Sequence, residues 1–305
     1  MWLVAPIALL IVGALSLAVY HYAYELFAHA ADRHEPPKPV NVSDVVKTTV
    51  TVLTLIGAVL AGIYAYRKQL LAEGDARRAD ASQLADRYTT AAEQLGHERA
   101  AVRLAGVYAL ARLADDWIDQ RQVCIDVLCA YLRMPYEPHP AEATHKEGER
   151  EVRLTIIRTI RDHLRHPDTP TSWTENFLDF TGATFDGGDF TDSHFHGRAD
   201  FRRAIFPSGI IDFRRAVFSG TVIFRTTKFS GSTVDFTHAE FSGGTVDFTG
   251  ATFSGGTVSF RDVLLRSGEI NFEGAEQTGG TVDFTHARSD GTQINWGPFP
   301  HPPEP

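Results

Sequence analysis

Cysteine is scarce in this chain, two in 305 residues, and that excludes a disulfide-stapled scaffold. The two stand as Cys124 and Cys129 in a segment of helical spacing, where five residues turn the side chains roughly 140° apart. Neither an internal disulfide nor a two-thiolate metal clasp fits that angle, and in a reducing compartment both read as small hydrophobes. The signatures of common catalysts are missing too. No Gly-Lys-Ser/Thr follows the many glycine pairs, and neither a Gly-x-Ser-x-Gly elbow nor a His-Glu-x-x-His pair occurs. Those absences exclude the P-loop, the hydrolase nucleophile elbow and the helical zinc protease. The formal net charge of −9 is mild for this length and selects no class of partner. Charge is also missing locally: about nineteen residues from Trp2 to Tyr20, and about as many from Thr48 to Tyr66, carry none.

Uncharged runs of that length match a hydrocarbon core. The first has no basic leader and no small-x-small cleavage site, so it reads as an uncleaved anchor. Two spans, about 2–26 and 46–66, form a hairpin with a loop around Ala28–Val45, and with the juxtamembrane stretch they make up region 1–80. The loop offers Arg33 and Lys38, whereas Arg67, Lys68, Arg77, Arg78 and Arg87 follow the second span. The excess of basic residues after the second span places the N-terminus and everything beyond Arg67 in the cytoplasm. His21 and Glu25 share one helical face near the end of the first span. An ion site at membrane depth is one reading. A pair at the interface, where ionisable groups cost little, is the simpler one.

Region 81–172 has helical spacing. Leu84, Tyr88, Ala91, Ala92 and Leu95 make one apolar stripe closed by Gly96; Val102, Leu104, Val107, Leu110 and Leu113 belong to a second. Gln122–Leu132 and Val152–Leu164 supply two more helices across the polar loop Pro135–Gly148. His163 and His166 lie one turn apart, but no third ligand stands at metal-binding spacing, and histidine near a helix C-terminus is favoured by the dipole alone.

Region 173–297 repeats. From Phe229 the chain reads FSGSTVDFTHAE, FSGGTVDFTGAT, FSGGTVSFRDVL, in lines of twelve residues. Each line carries two steps in which a small or branched residue precedes a bulky one by two positions, as in Val246/Phe248 and Ala251/Phe253. Residues i and i+2 of an extended segment share a face, so each step sends one small and one large side chain inward. Short extended segments punctuated by Ser-Gly-Gly, with no helical interval, predict a stacked β-solenoid. Earlier the step is five throughout, at Phe180, Phe185, Phe190 and Phe195. There, with Ala183 before Phe185, Ala199 before Phe201 and Ala204 before Phe206, the chain resembles the pentapeptide-repeat family. The resemblance covers roughly Asn176 to Trp296 and implies a right-handed quadrilateral β-helix with four units per coil. The chain departs from the family by inserting two residues at every second corner, which bears on the square cross-section. The run RYTTAAEQLGHERAAVRLAGVYALARLA is similar to a helical segment that often precedes such repeats in bacterial membrane-associated proteins. That pairing implies a bacterial inner or plasma membrane.

Coils of two steps, twelve residues, or of four steps, about twenty-four, both satisfy the pattern. Twelve would stack Asp235 directly on Asp247, and like charges opposite one another are destabilising. Twenty-four gives columns Asp235/Ser259/Asp283 and Asp247/Asn271/Asn295 and is favoured. The tail, residues 298–305, is proline-rich and reads as a cap that denies backbone donors to another chain.

Outside the repeat logic little remains. His194 and His196 flank inward Phe195 and so point outward, as a metal or pH site or as solvated strand residues. Arg202, Arg203, Arg214 and Arg215 recur in FRRA, with Arg198 and Arg225 nearby, as a basic band or as solvated corners paired with Asp200 and Asp212. Asp235, Asp247 and Asp283, with Glu240 and Glu273, point outward on the acidic side. The expectation is a non-catalytic, membrane-anchored scaffold presenting a cytoplasmic solenoid to an unidentified protein or to itself, with no cofactor or metal. The family resemblance also implies an alternative, an acidic rod that mimics DNA toward a topoisomerase. The basic band, the anchor and a rod of only ~24 Å for five coils weigh against that alternative and against nucleic acid as a partner.

Overall fold

A computed structural model describes residues 4–33, 39–138, 146–290 and 292–300, without the side chains of residues 4–9 and 75–77. Lys38, the Arg77 side chain and tail residues His301 to Pro305 lie outside that description. The chain divides into two compact units, residues 1–81 and 82–305.

The first unit holds α1 (Val4–Asp32) and most of α2 (Val42–Leu95). Both are long and apolar enough to cross a membrane. The helix runs on to Asp32 because Ala28, Ala30 and Ala31 are strong helix formers, so the connection is shorter than Ala28–Val45. The stretch after Tyr66 is helical for the same reason, where Leu70, Leu71 and Ala72 follow without a proline. Large apolar side chains, among them Leu10, Ile11, Leu17, Leu55, Leu60 and Ile63, are exposed along these helices. Ala23, Val45 and Thr49 are buried.

The second unit begins with the last turns of α2, then α3 (Ala100–Asp116), α4 (Arg121–Arg133) and α5 (Glu149–Leu164). Their stripes meet in one core containing Leu95, Val107, Leu110, Leu128, Ile156 and Ile160. Gly106 lets α3 cross the end of α2 at backbone distance: a Cβ there would lie 2.5 Å from Leu95 N and 2.9 Å from Ala91 O. Cys124 and Cys129 are buried, unbridged members of this core, and burial pushes their thiols up to about 11 and about 12. A cluster of polar groups is sunk among them. The fully buried Arg103 guanidinium meets Glu149 at 3.3 Å, and Tyr131 Oη donates to the same carboxylate at 2.8 Å.

The solenoid is all parallel. Leu178 pairs with Ala199, 21 residues on; His194 pairs with Val217, 23 on; Glu240 pairs with Leu264, 24 on. The coil therefore holds four steps and widens as residues are inserted. Four inward columns run through every width. Phe201, Phe224, Phe248 and Phe272 stack at 4.7–4.8 Å between ring centroids, and Phe190, Phe213, Phe236, Phe260 and Phe284 at 4.9 Å. Shorter columns start at Phe185 and Phe195. The inserted residues do not add corners. They lengthen two opposite sides into bulged eight-residue strands, Lys228–Asp235, Glu240–Asp247, Thr252–Ser259 and Leu264–Asn271. The other two sides are tight turns such as Phe201–Ala204, closed by Ala204 N–H donating to Phe201 O at 3.0 Å, with a left-handed third residue. Each coil is thus four-sided with unequal sides.

The helices cover the first coil. Gly188 lies under α5, where a Cβ would be 3.2 Å from Ile157 Cδ1. Arg150 donates to Asp186 at 2.9 Å and Arg133 to Asp179 at 2.5 Å; Arg161 pairs with Asp189. Gln122 donates to Phe177 O at 2.8 Å. At the far end the inward positions turn polar, Gln277 and Ser289, and Phe299 folds back edge-on to Phe253 and Phe272 at 5.4 and 5.3 Å. The start of the proline-rich tail therefore plugs the last coil.

Phe248→Ala should destabilise the full chain by about 3–5 kcal/mol, since it opens a cavity in a packed column, whereas Thr249→Ala should cost under about 1 kcal/mol. Thermal or urea unfolding followed by circular dichroism checks both. Gly256→Ala should destabilise at least as strongly as Phe248→Ala, because Gly256 has φ +72° and a Cβ would lie 2.0 Å from Ser232 O. Equal stability of Gly256→Ala and the unaltered chain would disprove that close approach.

Candidate interaction surface

The outward residue before an aromatic that opens a tight turn is most often Asp, and its first task is local. Asp235 Oδ1 accepts from Thr237 N–H at 2.9 Å, Asp247 from Thr249 at 2.9 Å, and Asp283 from Thr285 at 2.9 Å. Asp200 and Asp212 accept the N–H groups of Arg202 and Arg214 at 3.1 and 3.0 Å. These are Asx-turns, and they hold the backbone at the entry to each tight turn. The periodic Asp of the sequence is therefore a structural device before it is a surface.

Register also places these carboxylates one above another. Asp189, Asp212 and Asp235 are consecutive partners in one sheet, and Asp179 and Asp200 in the other. The twenty-four-residue columns foreseen from sequence hold within their range, but Asp235 does have a like-charged neighbour, Asp212. The arginines of FRRA neutralise that contact: Arg214 reaches Asp212 at 2.5 Å and Asp235 at 3.9 Å. Asp247 is met by Arg225 at 2.8 Å and Asp283 by Arg261 at 3.1 Å.

The two FRRA copies do not share a face. The turn after Phe201 leads from the sheet holding Arg198–Asp200 into the sheet holding Ile205–Phe206; the turn after Phe213 leads back. Arg202 and Arg203 thus stand on one edge of the solenoid, and Arg214 and Arg215 on the opposite edge. Identical sequence position fails to bring them together because two steps, half a coil, separate the copies. Arg215 is engaged on its own edge, 2.7 Å from Asp192, which also faces Arg165 at 3.7 Å.

Asp200 is the most enclosed of these groups, with no exposed side-chain surface. Burial alone would raise its carboxyl, but the Arg202 guanidinium and N–H, with Arg198, outweigh burial and hold it below the ordinary carboxylate range. Asp283 is held low by the Thr285 hydroxyl and N–H, with help from Arg261. His163 stacks on buried Trp173 with centroids 4.0 Å apart, and its ring contacts Thr159 O at 2.7 Å and Asp115 at 3.2 Å. His194 and His196 lie edge to face at 5.6 Å, and His196 approaches Glu175 at 3.4 Å. Burial, then the neighbouring His196, lowers His194. Among the described residues no group of three or more His, Cys, Asp or Glu is arranged to hold a metal. The arginines that clamp the first coil (Arg133, Arg150 and Arg161) were not visible as a set in the sequence. Their signal in the sequence was limited to the periodic Asp179 and Asp189 that Arg133 and Arg161 face.

The lowered Asp200 carboxyl gives a signed expectation. A carboxylate whose folded pKa is depressed contributes stability above its unfolded value, and loses that contribution as pH falls through the folded one. Asp200→Asn should therefore destabilise the chain at neutral pH by about 1.5–3 kcal/mol, the range for charge-assisted hydrogen bonds. The gap to the unaltered chain should narrow as pH drops below about 4. Melting curves at stepped pH check the sign.

Residues 213–264 match the family model described as pentapeptide repeats (9 copies). No curated protein and no solved structure matches the chain. The matched stretch lies within the solenoid, where all four inward columns continue and each tight turn closes on the residue after the left-handed position. On that match and that architecture, the solenoid is built of pentapeptide repeats.

Proposed function

We propose that this protein is a membrane-anchored scaffold whose solenoid is a docking surface for another protein. The observation that carries the reading is that the solenoid interior is filled. Its columns of buried phenylalanine fill the interior among the described residues, and the small void near Phe260 and Leu265 measures only about 10 Å³. A repeat of this kind acts through its outside. The exposed apolar helices of the first unit support the anchor, and the basic residues after Tyr66 support a cytoplasmic solenoid. Arg202, Arg203, Arg214, Arg215, Asp235, Asp247 and Asp283 are the charged groups a partner would meet first. The acidic-rod reading draws no support: Asp235, Asp247 and Asp283 each have an arginine within 4 Å, so they do not present the run of unneutralised charge a DNA mimic needs.

Two measurements test this. The full chain should stay with membranes after alkaline carbonate extraction, and release into the supernatant would remove the anchor. A photo-reactive side chain at Asp235, and separately at Asp247, should yield a discrete adduct with a second protein species in intact membranes. Adducts only with lipid or with this chain at both positions would remove the docking role.

A further inference from the structure

The solenoid edge formed by the turns after Phe201, Phe224, Phe248 and Phe272 sorts its unpaired charge by sign. Near the helical end stand Arg203 and Lys228, exposed and with no ion pair or side-chain hydrogen bond among the described residues. Beside them Arg202 and Arg225 are already engaged, with Asp200 and Asp247, each at 2.8 Å. Toward the other end come Glu269, Glu273 and Glu276, exposed and equally unpaired. Between the two groups the turn is Thr249–Gly250, small and uncharged. The opposite edge differs. There basic and acidic side chains meet within the chain, Arg215 with Asp192 at 2.7 Å, Arg261 with Asp283 at 3.1 Å and His286 with Asp262 at 3.4 Å.

An edge with cations at one end and carboxylates at the other is complementary to itself after a half-turn about an axis through its middle. Arg203 and Glu273 lie three coils apart, ~14 Å at the strand spacing, too far for a direct pair within one chain. Two copies in antiparallel register close that gap twice. We infer that this edge pairs with the same edge of a second copy, Arg203 of each chain facing Glu273 of the other, with the Thr249–Gly250 turns close to the two-fold axis. An acidic protein or an anionic lipid surface would satisfy only the cationic end and would set like charge against Glu269, Glu273 and Glu276. A second copy satisfies both ends. Arg203 holds a left-handed position, φ +58°, that glycine fills at Gly182, Gly250 and Gly274 in the same row, and this projects its side chain outward from the turn.

This pairing is independent of any foreign partner docked elsewhere on the solenoid, since it concerns the purified chain alone. The mass of the full chain in uncharged detergent, by light scattering across a salt series, tests it. A dimer at low salt that dissociates as salt rises is expected. Arg203→Glu and Glu273→Arg should each weaken it at least about tenfold while leaving the melting temperature unchanged. An equimolar mixture of the two variants should restore the dimer, because both cross-copy contacts are again between opposite charges. A monomeric unaltered chain, a dimer that survives both single substitutions, a mixture that does not recover, or association seen only with added anionic lipid or another protein would each overturn the pairing.

Discussion

The second unit depends on side chains stacking in register from coil to coil at the spacing of hydrogen-bonded parallel strands. Ring centroids 4.7–5.0 Å apart in the columns through Phe224, Phe236 and Phe218 put ring contact and backbone hydrogen bonding at one repeat distance, so neither is strained to satisfy the other. Burial of each ring contributes roughly 1.5–3 kcal/mol, and no coil can obtain it without a neighbour. This constraint also explains why coils of 21, 23 and 24 residues coexist. The columns fix four inward positions per coil, while residues added between them bulge outward along the long sides at Gly220, Gly244 and Gly256, where backbones approach too closely for a Cβ.

With the interior fixed, the exterior chemistry serves the backbone first. Asp before most of the aromatics that open a tight turn caps that turn, and the stacking that aligns the rings also aligns Asp189, Asp212 and Asp235 in one sheet and Asp179 and Asp200 in the other. That creates repulsion between Asp212 and Asp235 which Arg214 offsets, while Arg225 and Arg261 pair with Asp247 and Asp283 from neighbouring turns. Charges left over after this internal matching are few and unevenly placed, and they are the ones available for recognition. Arg203 and Lys228 lie at one end of an edge and Glu273 at the other.

A solenoid needs its ends covered because an open coil offers unpaired strand edges. Here the two ends are closed differently. At the first coil α4 and α5 supply Arg133, Arg150 and Arg161 to the outward carboxylates, and Ile157 to the two-glycine gap at Gly187–Gly188. At the last coil polar Gln277 and Ser289 end two columns, and Phe299 seals the remaining rings. The helical segment is therefore part of the same cooperative core as the repeats, sharing Trp173 and Leu178 with them.

Much of this was determined by the sequence alone. The alternation of small and bulky residues at i and i+2 dictated inward columns, because strand geometry has a period of two. Two uncharged runs dictated two long apolar helices, and Cys124 and Cys129 were legible as unbridged core residues from their angular separation on a helix. Residues per coil were only weakly legible, from the penalty on stacking Asp235 over Asp247. That penalty favours the coil of about twenty-four residues, whereas Asp212, which stacks beneath Asp235, lies outside the twelve-residue lines. Three things were decided by tertiary structure. The FRRA pairs diverge to opposite edges because half a coil separates them. The helices close the first coil because Gly187 and Gly188 leave room for α5. The surplus charges at Arg203 and Glu273 share one edge because the turns after Phe201 and Phe272, three coils apart, lie on the same side of the stack. Local period is written in adjacent residues, but which turns lie on a common edge follows from coil length, and coil length is set by stacking.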